Sequence, residues 1–566
     1  MIGDFFHRTC QFLRRGAVGG PRALAPTGRR GDSARPAGPS FVCENLEPRL
    51  LLSVYTVTNV NNVGAGSLRQ ALVDANATAG LDTITFHIAG SGIHTIAPTS
   101  VLPDITDPVI IDATSQPGYA GIPLIELNGA SAGNNRSGLT LESGSGGSTI
   151  RGLAINRFGG DGIHVTRSSG NLIEYNFIGT DPSGRLALGN GGDGIQLYFS
   201  AANNVIRYNV ISANARGISI GIGNTDNDNN IIQANRIGTD ATGTVALGNT
   251  TAGITVGFGS INTLIGGPEA GQGNVIAFNG IGIEFRQNSA TGHSLLGNSI
   301  FSNVGLGIDL GSDGVTANDP GDGDAGPNNR QNFPVLTSAQ VVSSTEVIII
   351  GSFNSTADSY FRIEFFANAT ADGSGYGQGQ RYLGFVNVAT DSSGNTVINA
   401  TLTAVVAPGE FISATATRSD STFSTFTDSS EFAQNVVAVP SVVHTPSVTD
   451  ATTDEDTQTT SGLVISRNPT DGAEVTHFKI TGITNGTLYQ NDGTTPITGG
   501  SFITFAEGNA GLKFTPAANF SGNGHFTIQA STSDSDAGLG GNTVVATITV
   551  NAVNDAPVLD LDADDS

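Results

Sequence analysis

Carboxylates dominate the groups on this chain that could do chemistry, and their spacing decides what that chemistry could be. A Gly-Ile-polar-apolar tetrad recurs at Ile163, Ile195, Ile218, Ile254, Ile283 and Ile308, placing His164, Gln196, Ser219, Thr255, Glu284 and Asp309 at its polar position. In extended strands these side chains share the face opposite the isoleucines. Cutting a glycosidic bond by acid and base takes two close carboxylates. A lyase takes a carboxylate cluster for a metal together with a basic Arg or Lys. Glu284 and Asp309 are neighbouring acids in the column, and the other members are mostly unlike one another. Asp161 and Asp193, each before a Gly-Ile, read as turn residues. Asp313, Asp319, Asp322 and Asp324 crowd the stretch GSDGVTANDPGDGDAGPNNR, but no Glu closes a twelve-residue Ca²⁺ loop there, so it reads as a solvated turn.

The elements that must position these residues come from an internal repeat. Residues 171–190, NLIEYNFIGTDPSGRLALGN, align without gaps on 230–249, NIIQANRIGTDATGTVALGN, with 12 of 20 positions identical. An Asn-x-Ile triplet recurs between the tetrads at Asn176, Asn209, Asn235, Asn274 and Asn298. Tetrad spacings of 23–36 residues suit one coil of a parallel β-helix with loops of varying length. Stacked coils would bring the isoleucines into an interior column, and the asparagines into a ladder that satisfies buried amides. The glycine beside each isoleucine is expected to permit the turn between faces. An open coil end needs a cap. SLRQALVDANAT at 67–78 supplies one, with Ser67 and Gln70 as a capping box and Leu68, Ala71, Leu72 and Ala75 on one face. Strands are expected at 82–88, 108–112 and 124–127.

Composition narrows the partners. The chain has 566 residues, 77 of them Gly, with 25 basic and 49 acidic side chains. Eight of the basic and four of the acidic residues lie in the first 53, which leaves 17 against 45 in the rest. A body that acidic repels phosphate backbones, so no nucleic-acid partner is expected. No stretch approaches 18 consecutive apolar residues, so no membrane-spanning helix is expected. Cys10 and Cys43 both lie in the basic leader, so the remainder has neither a disulfide framework nor a thiolate metal site.

The segment FVCENLEPRLLLS, 41–53, resembles the LEPRxLL motif of large exported bacterial proteins. That resemblance implies an extracellular or cell-surface location and processing near Ser53. GSLRQALVDANATAGLDTITFHI, IIDATSQPGY and the IGTD…ALGN repeats resemble CSLREA-type secreted β-helix proteins, with Gly66 standing where that motif begins with Cys. The expected fold is all-β: a right-handed, pectin-lyase-like parallel β-helix with a short N-terminal capping helix, then two β-sandwich modules. The organisation reads as a leader at 1–53, the β-helix at 54–310, a linker at 311–332 and a sandwich at 333–436. A linker at 437–446, a second sandwich at 447–552 and the start of a linker or further module at 553–566 complete it. TDED at 453–456, FTPAANFSGNGHFTI and NAVNDAP at 551–557 resemble cadherin-like modules. By that resemblance Glu455, Asp456, Asp534, Asp536, Asn554 and Asp555 are expected to hold Ca²⁺ weakly.

Parallel β-helices also carry pectate lyases and polygalacturonases. GISIG at 217–221 and Arg236-Ile237 resemble fragments of polygalacturonase motifs, but Ala215-Arg216 stands where Gly-His would be expected. The expected function is therefore non-catalytic: adhesion, envelope structure or glycan binding, with extracellular polysaccharide or cell-surface components as partners. The alternative is a polysaccharide-active enzyme working on the helix face.

Overall fold

The computed structural model describes residues 52–221, 226–286, 291–440 and 443–554. Nearly all of the leader, with Cys10 and Cys43, and also Asp555 lie outside the described residues. Residues 54–310 coil as a right-handed parallel β-helix, each coil giving a short strand to each of three sheets. The first sheet runs through nine strands from Val54–Val57 to Ser294–Leu296, and the second through eight from His94–Ile96 to Ser299–Phe301. The third runs through seven, from Leu139–Leu141 to Ile308–Leu310. Register aligns Ile163, Ile195, Ile218, Ile254, Ile283 and Ile308 as consecutive partners, all buried, as the tetrads predict. The first sheet contributes Ile150, Ile173, Ile206, Ile232 and Ile265 to the same core, and the second Ile155, Ile178, Ile211, Ile237 and Ile276. Each buried side chain contributes roughly 1.5–3 kcal/mol.

The tetrad glycines act differently from the expectation. None of Gly162, Gly194, Gly217, Gly253 and Gly282 has a positive φ. What excludes a side chain is close approach between coils. A Cβ at Gly194 would lie 2.6 Å from the Gly217 carbonyl oxygen, and one at Gly217 would lie 2.4 Å from that of Gly253.

Corners between sheets are built from a residue with φ near +55° followed by a buried Asn. Tyr175, Tyr208 and Ala234 hold that conformation before Asn176, Asn209 and Asn235. These asparagines, with Asn274 and Asn298, form the predicted ladder: each Nδ2 donates to the next Oδ1 at 2.9–3.1 Å, and so does each backbone N–H. Two further ladders escaped the sequence reading. Asn190, Asn214, Asn249, Asn279 and Asn303 line the second corner. Asn171, Asn204 and Asn230 line the third, which Thr263 and His293 continue. His293 Nδ1 accepts from the Thr263 amide, and burial pushes its pKa down to about 4, so the ring is neutral.

Both coil ends are closed. The helix Leu68–Ala77 covers the first with Leu68, Ala71, Leu72 and Ala75. Ser67 accepts from the Gln70 amide, but Gln70 donates its side chain forward to Asp74 instead of back to Ser67, so the box is half formed. Gly66 has φ +74°, and a Cβ there would lie 2.2 Å from Thr58 Oγ1, so the glycine suits this backbone where a cysteine would not.

The other end is closed by the first sandwich, whose core contains Ile349, Phe361, Phe365 and Ile412. Phe366 and Phe432 leave that core and join the core of the β-helix. Gln378 takes the next place in the second ladder, accepting from Asn303 Nδ2 at 3.0 Å and donating to the Asn303 carbonyl. Glu364 accepts from the Gly297 amide, Ser429 from Leu295 and Glu431 from both Leu310 and Thr316. Residues 311–332, read as a linker, are themselves packed: Asn328 is buried and donates to the carbonyls of His293 and Ser429. Residues 447–551 form a five-stranded and a three-stranded sheet around a separate core that includes Phe478, Phe514 and Phe526.

Removing one rung strands several groups at once. Asn235→Ala deprives Asn209 of the acceptor for its backbone and side-chain N–H, and deprives the Ile206 carbonyl of a donor. Each unsatisfied buried group costs roughly 1–3 kcal/mol, so urea unfolding is expected to show a loss of about 3 kcal/mol. A loss below 1 kcal/mol would mean that the ladder is ornamental.

Candidate functional site

The outward column of the third sheet is assembled as predicted. His164, Gln196, Ser219, Thr255, Glu284 and Asp309 are successive register partners. His164 and Gln196 are partly exposed, but from Ser219 onward the column is closed, because Ser219 and Thr255 are fully buried and Glu284 and Asp309 are each 5% exposed. Glu284 accepts from Arg286 Nε at 2.8 Å, Ser312 Oγ at 3.0 Å and Thr255 Oγ1 at 3.2 Å. Burial raises the pKa of Asp309, whose Oδ1 has no partner. Two carboxyls on adjacent strands are what an acid–base pair would need, but both are buried and a polymer has no open face there. The two expected turn residues carry structural bonds. Asp161 accepts from His164 Nδ1 at 2.9 Å and from the Asp193 amide, and Asp193 is paired with Arg216 at 3.1 Å.

The described residues expected to hold Ca²⁺ in the last module fall at its two ends. Glu455 accepts from the Val553 amide at 2.6 Å and Asp456 from that of Asn519 at 3.0 Å, with Asn554 following at the same end. Asp534 and Asp536 lie in the hairpin before Leu539–Asn551, a 13-residue strand, so about 40 Å of strand separates them from Glu455. Asp536 is paired with Lys479.

Among the described residues, the carboxylates that converge as a cation would require are Asp319, Asp322 and Asp324, whose ligand atoms all lie within 4.8 Å of one another. All three were visible in the sequence. What was not visible is that Asp322 folds under the sandwich, where it accepts from Ser355 Oγ at 2.6 Å and from the Asn332 amide at 2.9 Å. Burial, with Asp319 and Asp324 adding repulsion, pushes its pKa up to about 6.

The second sheet carries an open trough on its outer face. Corner residues with positive φ point outward and stack one coil above the next, so Tyr175 and Tyr208 lie 5.2 Å apart with their rings 8° from parallel. Gly152 and Ala234 occupy the neighbouring corners, so the aromatic pair is not extended there, and the Arg207 guanidinium lies over the Tyr208 ring, 5.7 Å from its centroid. The tyrosines are 44% and 45% exposed. Beside them the IGTD…ALGN segments form two outer turns. Asp181 and Asp240 accept several amides within their own turns, and the turns are joined by the Ala241 amide on the Gly184 carbonyl at 2.9 Å. These turns cover a small apolar cluster of Ala154, Phe177, Val210 and Ala241. The result is a hollow of about 400 Å³ lined by Tyr175, Tyr208, Phe177, Arg185 and Arg236. A separate hollow of about 570 Å³ is lined by Val275, the strand neighbour of Arg236, and by Arg381 and Tyr382 on the sandwich. Sequence reasoning missed this trough. Its signal was the residue before each Asn-x-Ile triplet, Tyr at 175 and 208.

The class defined by this geometry is a right-handed parallel β-helix protein with an aromatic lateral trough. The model of the family described as right handed beta helix region matches residues 143–319, the coils that bear most of the Ile and Asn columns. No curated protein matches the chain. Solved structures with some likeness include the enzymatically active domain of tailspike protein 2 from bacteriophage CBA120. It is 11% identical, over 67% of this chain and 72% of that one, with a TM-score of 0.23. A two-domain fibronectin type-III segment of chicken tenascin is 10% identical, over 38% of this chain and 99% of that one, at 0.16. At these scores neither likeness bears on function.

The acidic cluster has a measurable signature. A carboxyl with a raised folded pKa contributes stability that is complete below its unfolded value of 3.8 and is lost as pH rises through about 6. In EDTA at pH 7.5, Asp322→Asn is therefore expected to raise the melting temperature, with no difference at pH 4. Equal melting of both proteins at both pH values would remove this electrostatic assignment.

Proposed function

We propose that the protein is a non-catalytic, exported glycan-binding protein of the cell surface that holds polysaccharide in the trough of its second sheet. The observation that carries this reading is the exposed, parallel Tyr175–Tyr208 stack set into a half-apolar hollow. An exposed aromatic face offers apolar contact with a polar rim, the combination that the C–H face and hydroxyl edge of a sugar ring require. The two rings stand on successive coils about 4.8 Å apart, so the pair presents a contact two coils long to a ligand. The buried state of Glu284 and Asp309 supports binding without cleavage. The LEPRxLL-like leader supports export, and the cadherin-like resemblance of residues 447–552 supports a surface-attached architecture.

Glycan-array binding followed by calorimetry on the full chain tests this. Tyr208→Ala is expected to weaken the best oligosaccharide about tenfold, or about 1.4 kcal/mol, without lowering the melting temperature. No reducing or unsaturated ends should accumulate. Binding that Tyr208→Ala leaves intact would move the site elsewhere.

The same reading assigns weak Ca²⁺ affinity, of order 10⁻⁴–10⁻³ M, to the end of the last module that bears Glu455, Asp456 and Asn554, with Asp555 next in the sequence. Asp534 and Asp536 would serve the opposite end. A calorimetric Ca²⁺ signal from the full chain should fall on Asp456→Asn. Its persistence in that variant would place the ion elsewhere.

A further inference from the structure

The trough concentrates uncompensated positive charge on a chain whose net charge is −24. Arg185 and Arg236 both line the first hollow, and neither guanidinium has a hydrogen-bond or ion-pair partner among the described residues. The acids nearby are already engaged. Asp181 and Asp240 are turned into their own loops by Ser183, Thr242 and backbone amides, which hold both below the usual carboxylate range against the opposing effect of burial. Glu174 is buried, with Arg207 Nη2 at 2.9 Å and Arg151 Nη1 at 3.9 Å. In the second hollow Arg381 is bound to Glu410, so of these two hollows the one beside the tyrosines is the one that carries arginines without an acidic partner.

A second observation converges on the same place. The two aligned 20-residue repeats differ at eight positions, and several of those face the hollow: Tyr175 against Ala234, Phe177 against Arg236, and Arg185 against Thr244. The positions that agree include the ladder asparagines Asn171, Asn176 and Asn190, and the turn-closing Asp181. The repeats thus agree where they build the coil and differ where they line the trough.

Resting on the glycan-binding reading, we infer that the trough selects an anionic polysaccharide whose carboxylates pair with Arg185 and Arg236 while its rings stack on Tyr175 and Tyr208. A guanidinium presents a planar fork that matches a carboxylate with two parallel hydrogen bonds. An acidic body repels such a polymer in general, and the two unpaired arginines relieve that repulsion locally beside the tyrosines.

Calorimetry on the full chain with a mannuronate hexasaccharide, its carboxyl-reduced neutral counterpart and dextran sulfate tests the assignment. The expected result is binding of the uronate at least tenfold tighter than its reduced form. Arg236→Gln and Arg185→Gln should each lose about tenfold on the uronate alone, while Tyr208→Ala weakens both sugars. Equal affinity for uronate and reduced sugar would overturn the inference and leave glycan binding standing. Dextran sulfate binding as tightly as uronate, with both Gln variants unaffected, would overturn it as well. If none of the three binds and the array is blank, the glycan-binding reading itself fails.

Discussion

Each coil of this helix reverses direction at three corners, and each corner takes backbone amides and carbonyls out of the sheets that would otherwise satisfy them. Buried polar groups without partners are too costly to leave at every coil. One asparagine per corner resolves this. The Oδ1 of Asn235 receives two N–H groups from Asn209, and its Nδ2 gives one bond to Ile206 and one to Asn274. Because each rung completes the previous one, coils can stack only in one register. That register brings the isoleucines into columns and leaves no room for side chains at Gly194 or Gly217.

The same corners dictate the outer surface. A residue held at φ near +55° cannot turn its side chain inward beside the asparagine, so whatever stands there is displayed, one coil above the next. Where it is Ala234 the display is blank, and where it is Tyr175 and Tyr208 it becomes an aromatic platform. The platform therefore costs the fold little beyond the exposure of two rings, since the backbone conformation is required in any case. The trough wall is equally economical. Asp181 and Asp240 close their own turns, which frees the positions between them to vary in charge and size.

The interior was legible in the sequence because its signals are local and repeated: Gly-Ile tetrads, Asn-x-Ile triplets and the Leu68–Ala77 face all show within a few residues. The second and third ladders were harder to see, since Asn190 and Asn214 sit at the ends of loops of different length. Two features had no local signal. Gln378, Glu364 and Glu431 reach the β-helix only through the sandwich fold, at separations of 67 to 121 residues. The trough depends on which residues the stacking of coils brings together, so Arg185 and Arg236, at non-equivalent positions of the two repeats, line one hollow only once the coils are in place. The glycines were visible but misread, because a close approach between coils leaves the same letter as a turn.

Terminating a ladder poses a problem different from propagating one. An asparagine in mid-stack both accepts and donates, but the last rung has no coil beyond it to receive a donor. The sandwich answers with acceptors. Glu364 takes the Gly297 amide, and Glu431 takes two amides on separate oxygens. Burial raises the pKa of both, Glu431 to about 8, with Asp309 and Asp313 adding repulsion. Arg362, 2.9 Å from Glu364, pulls back toward the charged form there, whereas Glu431 has only its two amides to do so. The two carboxyls thus meet the same need under different electrostatic loads. A β-helix that ends on such groups cannot be energetically separate from the module that supplies them. The apolar contacts agree, since Phe366 and Phe432 belong to the sandwich by sequence and to the β-helix by burial. The first sandwich is therefore the closing turn of the solenoid as much as a domain of its own, and the hollow at Tyr382 is lined by residues of both.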